Sequence, residues 1–185
     1  DHVAMLAAIS LKGGVGKTSV VLGLAASAWA AGHRTLVIDL DPTSVDYRAT
    51  GTLAALVRDG PTGRHLRPER RGVAVLGNGG VTAEEAADVI AALAAGWPRV
   101  VLRHERRSRP TGPGVVPVHP LAPGRPFDAG PAVYQPGPWS IRLPPPAFVL
   151  PRARPGAVRS LLEGRRPGMS RWLRAWRRVW EMPWP

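Results

Sequence analysis

The feature that most constrains this chain is a glycine run set between an apolar segment and a helix: "VAMLAAIS", then "LKGGVGKT", then "SVVLGLAASAWAAG" closing on Gly32. Strand, loop and helix in that order let Gly13, Gly14 and Gly16 wrap an anion with backbone N–H groups. The following helix turns its positive end to the same place. The lysines sharpen this. Of 25 Lys and Arg residues, only Lys12 and Lys17 are lysine. A compact ammonium on a flexible stem fits between phosphate oxygens where a planar guanidinium is no substitute. A bound polyphosphate is the ligand this pattern predicts, with Lys17 on the β and γ phosphates and the Thr18 hydroxyl on Mg²⁺.

The rest of the first half alternates strand and helix. "RTLVIDLD" is an apolar run ending in acids, and "GVAVLGNGG" is a third strand ending in a glycine turn. Thr82 and Glu85 have capping-box spacing ahead of an Ala-rich helix closed by Gly96. "RVVL" at 99–102 and "GVVPV" at 114–118 are two further strands. Apolar strands separated by helices imply a mostly parallel sheet covered on both faces.

Here the residues resemble a family. "KGGVGKTS" looks like the deviant Walker A loop of the ParA/MinD ATPases, and "VIDLDPTS" looks like the DxDPQ element that follows it, about one helix and one strand later. The resemblance implies an α/β, P-loop NTPase-like fold that binds ATP with Mg²⁺. Gly13, Gly14, Val15, Gly16, Lys17, Thr18 and Ser19 would form the nucleotide loop, and Thr18 and Asp39 would lie at the metal. Asp41 would orient the attacking water. Lys12 would reach across an ATP-dependent homodimer to the partner's nucleotide and stabilise charge as the γ-phosphoryl departs. Thr43 stands where the family usually has Gln. The larger departure is at the next strand, which in the family runs into an Asp: here "WPRVVLRHERR" places Arg103 or His104 at that position. An arginine cannot ligate a cation, so turnover is expected to be slow, absent or served by Asp39 and Asp41 alone.

The resemblance covers residues 3 to about 121 in element order. Relatives that depend on cysteines are excluded by a chain with none, and a tyrosine-cluster kinase is disfavoured by only Tyr47 and Tyr134. With no lysine beyond residue 17, a guanine-reading NKxD motif is absent. ATP over GTP rests on the resemblance.

Past residue 100 the character changes. Residues 101–185 carry 15 Arg against 4 acids and 17 of the 21 prolines. This predicts a nucleotide-binding domain over 1–121, a Pro/Arg-rich region of irregular backbone over 122–168, and a Trp/Arg-rich helix over 169–185. On that helix Trp172, Trp176 and Trp180 fall on one face. Three partners fit it: the domain itself or another protein, a membrane surface met by the Trp face, or DNA bound nonspecifically by the C-terminal arginines. The absence of cysteine and of a long apolar run fits a cytoplasmic protein, with a peripheral place at the inner membrane face as the membrane alternative. The functions in play are a positioning ATPase for a plasmid, chromosome region, septum component or secretion apparatus, a nucleotide-binding switch without hydrolysis, and a DNA-binding module.

Overall fold

The computed structural model describes residues 5–9, 17–43, 51–66, 73–104, 114–120, 132–135, 147–151, 156–157, 160, 165 and 170–182. Its centre is a seven-stranded sheet. In chain order the strands are β1 (Met5–Ile9), β2 (Thr35–Asp39), β3 (Val73–Leu76), β4 (Arg99–Arg103), β5 (Gly114–Pro120), β6 (Ala132–Gln135) and β7 (Ala147–Val149). In space they run β3-β2-β4-β1-β5-β6-β7, and each neighbouring pair is parallel. Among the described residues the helices with a complete range are α1 (Lys17–Ala30), α2 (Leu53–Asp59), α3 (Gly63–Leu66), α4 (Ala87–Gly96) and α5 (Arg171–Glu181).

Both faces of the sheet are covered because its central strands are apolar through their middles while alternate residues point to opposite sides. Along β2, Val37 packs with α1 and α5, whereas Leu36 and Ile38 pack on the other side with α2 and α4. On β4, Val101 joins the first group and Val100 and Leu102 the second. The parity matters beyond the core. Asp39 and Arg103 lie two residues past Val37 and Val101, so their side chains leave the sheet on the face that α1 covers.

Helix ends follow from local chemistry. Gly32, at φ 89°, ends α1 in a Schellman motif: its N–H donates to the Trp29 carbonyl at 2.8 Å and that of His33 to the Ala28 carbonyl at 3.0 Å. The Thr82–Glu85 capping-box bonds form, but in the turn before α4, whose own N-cap, Ala86, carries no side-chain bond. The Glu85 carboxylate accepts from the Thr82 N–H at 2.7 Å, and the Thr82 hydroxyl oxygen accepts from the Glu85 N–H at 3.2 Å. The Thr82 N–H, and after it the Thr82 hydroxyl donating to the same carboxylate at 3.0 Å, hold the Glu85 carboxyl below its ordinary range. Sequence reasoning passed over α2, although its N-cap is regular: the Thr52 hydroxyl accepts from the Ala55 N–H at 3.2 Å.

Past residue 121, β6 and β7 extend the same sheet where irregular backbone was expected. They escaped notice because they are four and three residues long and flanked by prolines, which a sheet tolerates at its margins. The terminal helix packs by its Trp face onto α1. Trp172, Leu173, Trp176 and Val179 are buried, and Arg171, Arg174, Arg177 and Arg178 are exposed. Trp172 and Trp176 meet edge to face at 5.7 Å, and the Trp180 indole N–H donates to the Leu24 carbonyl at 3.0 Å. The Trp176 ring fills the space beside Gly23, where any Cβ would collide with it. Among the described residues no helix is long and apolar enough to cross a membrane.

Candidate functional site

The site assembles at the carboxyl edge of the sheet, where parallel α/β sheets receive ligands. Strand order places it. β4 lies between β2 and β1, so the end of β4 has the acids of β2 on one side and, on the other, the strand that leads into the glycine loop. In register, Arg103 stands opposite Asp39 on β2 and opposite Ala8 on β1.

Lys12, Gly13, Gly14, Val15 and Gly16 lie outside the described residues. The described chain resumes at Lys17, the first residue of α1, followed by Thr18 and the half-buried Ser19. The side chains of Lys17 and Thr18 are also outside the described set. Helix α1 thus begins where the glycine pattern requires its N-terminal N–H groups to be.

Asp39 and Asp41 are brought together, and with a partner that sequence reasoning had assigned no role. A single nitrogen of Arg103, Nη1, lies 3.2 Å from Asp39 Oδ1 and 3.2 Å from Asp41 Oδ2. The arrangement is well buried, with side-chain exposures of 11% for Arg103, 2% for Asp39 and 24% for Asp41. Other donors occupy the same carboxylates. The Asp41 N–H reaches Asp39 Oδ1 at 3.0 Å, and Thr43 gives its N–H at 3.0 Å and its hydroxyl at 2.7 Å to Asp41 Oδ1. Thr43, where the resembled family usually has Gln, therefore braces the turn after β2.

The backbone below these acids is fixed from both sides. The Leu40 N–H donates to the Arg103 carbonyl at 2.9 Å. Asn78, buried at the end of β3, donates to the Asp39 carbonyl at 3.2 Å, while its Oδ1 accepts from the N–H groups of Gly80 and Val81 at 2.7 and 2.8 Å. Asn78 is a positioning residue the sequence reading missed, and its signal was the "GNGG" turn ending an apolar strand.

A divalent ion on Asp39 was the expectation, and the arrangement does not fit it. Both oxygens of Asp41 and one of Asp39 already hold protein donors. A dication brought to them would meet the guanidinium at ion-pair range, a like-charge repulsion of several kcal/mol at the effective dielectric of a partly buried site. His104, the next residue along the chain, is buried, and among the described residues no group of three or more His, Cys, Asp or Glu could hold a metal.

Comparison with known proteins agrees with this layout. The chain is similar in structure to "the chimerical protein CapA2B2", with a TM-score of 0.52 and 19% identity, over 67% of this chain and 66% of that one, slightly under two thirds of its length. At that identity the likeness concerns the fold. No curated protein matches the chain. The sequence pattern of the CobQ/CobB/MinD/ParA nucleotide binding domain matches residues 6–170, well past the stretch that carries the motifs. With most of its length matched and its parallel sheet in place, the chain belongs to the CobQ/CobB/MinD/ParA nucleotide-binding domain family.

Proposed function

We propose that this protein binds ATP in the loop between β1 and α1, and that nucleotide occupancy controls dimerisation and attachment to a surface, so positioning a cargo. The observation that carries nucleotide binding is the juxtaposition at one sheet edge: β1 leads into "LKGGVGKT", α1 starts at Lys17, and the acids of β2 lie two strands away, across β4. In this reading the backbone around Gly13, Gly14, Val15 and Gly16 cradles the phosphates. Lys17 neutralises their charge, Thr18 and Ser19 add hydroxyls, and Lys12 acts across a homodimer. The family's enzymes are P-loop ATPases, which favours ATP as the nucleotide and gives hydrolysis a precedent.

A specific observation favours the second reading, a switch with little turnover. Asp41, the residue expected to orient the attacking water, has both carboxylate oxygens engaged by Arg103 and Thr43. Surface attachment through Trp172, Trp176 and Trp180 would require α5 to leave α1, because Trp172 and Trp176 are buried there. Contact with DNA or an anionic lipid surface through the exposed Arg171, Arg174, Arg177 and Arg178 needs no such movement.

The test is ATP binding and phosphate release by the purified chain, with Lys12→Ala and Lys17→Ala alongside and oligomeric state followed in the same samples. The expected result is ATP binding that Lys17→Ala abolishes and an ATP-dependent dimer that Lys12→Ala weakens. A chain that binds no nucleotide refutes the proposal.

A further inference from the structure

The Arg103 ion pairs do more than block a metal. We propose that Arg103 is the resident cation of this nucleotide site, so that the chain takes a metal-free nucleoside polyphosphate and Mg²⁺ adds nothing to its affinity. The inference rests on the nucleotide-binding reading above.

Three observations carry it. The register puts Arg103 between the acids of β2 and the strand that feeds the glycine loop. One guanidinium nitrogen is within 3.2 Å of both carboxylates, which is where a divalent ion would have to sit to use them. Burial then makes the arrangement costly to break: removing the guanidinium would leave Asp39, 2% exposed, as a charge without its counter-ion in a poorly solvated place. Mg²⁺ sites in phosphate-binding proteins draw on one or two carboxylates together with substrate oxygens and water. Here three of the four carboxylate oxygens already hold protein donors. Arg is also a cation suited to this place, since its charge persists at any working pH and its Nη1 reaches both acids at once. The consequence is a different control of occupancy. Without a dication bridging the phosphates and the acids, nucleotide exchange is governed by affinity and concentration instead of by hydrolysis.

The experiment is a calorimetric titration of the full chain with ATP, once with excess Mg²⁺ and once with EDTA, repeated on Arg103→Lys and Arg103→Ala. For the parent and for Arg103→Lys, which keeps the cation, the two Kd values should agree within about threefold. For Arg103→Ala, which frees both acids, Mg²⁺ should tighten ATP by about tenfold or more. Melting temperatures without nucleotide give a second readout: added Mg²⁺ leaves the parent unmoved and raises Arg103→Ala. A parent Kd that weakens more than about threefold in EDTA overturns the resident-cation inference and leaves nucleotide binding standing. So does an Arg103→Ala protein that folds and ignores Mg²⁺ in both measurements. If Arg103→Ala does not fold, the parent and Arg103→Lys decide alone. Absence of ATP binding in both buffers refutes the nucleotide reading and this inference with it.

Discussion

The carboxyl edge of the sheet and the face shared by α1 and α5 are both built from residues far apart in sequence, and they are held in opposite ways. At the edge, strand register aligns three polar side chains, 2 and 62–64 positions apart, whose ion pairs depend on direction and charge. On the face, Trp172 and Trp176 fit against α1 by shape, down to a glycine that leaves room for one ring. The edge can therefore change its chemistry through one residue while β2 and β4 keep their pairing. The face cannot change one large ring without disturbing the core. This contrast is how a family fold persists around an altered site.

Breaking the face should have the largest effect. Trp176→Ala removes a fully buried ring and should cost about 4 kcal/mol in chemical denaturation, enough to unfold a marginal domain. Gly23→Val should be nearly as harmful by overpacking the same contact. Breaking the edge comes next. Arg103→Ala leaves Asp39 buried without its guanidinium and should cost about 3 kcal/mol, while far-UV circular dichroism stays that of the parent because the sheet does not depend on the triad.

Smaller changes outside both regions calibrate the comparison. Thr82→Ala deletes the hydroxyl side of the capping box and should cost about 1 kcal/mol without touching edge or face. Glu85 gives the smallest effect and a defined pH window. Its folded pKa lies below the ordinary value, so its contribution is complete above the unfolded pKa and is lost as pH falls through the folded one. Denaturant midpoints measured from neutral to strongly acidic pH should show that loss in the parent, and Glu85→Gln should remove that part of the acid dependence.

Much of the edge was legible in sequence, and for physical reasons. Acids at i and i+2 after an apolar strand fall together at its carboxyl end. The partner of Asp39 and Asp41 was not legible. Arg103 was recognised only as a departure from an expected acid, because knowing that it faces Asp39 requires knowing that β4 inserts between β1 and β2. Periodicity placed the Trp residues on one helical face but could not say what covers it, since burial against α1 and burial in an interface ask for the same side chains. β6 and β7 are too short to show a period, and the prolines around them argued the other way. Lys12 and the glycine loop remain as read from the sequence.

The central claim is that a guanidinium, and not a metal, holds the acids of this nucleotide site. The most direct measurement is an anomalous difference map from crystals grown with ATP and Mn²⁺. The account predicts nucleotide phosphates in the loop ahead of α1, Arg103 still bridging Asp39 and Asp41, and no manganese peak at coordination distance from either carboxylate. A manganese peak on Asp39, with Arg103 swung away, would contradict it.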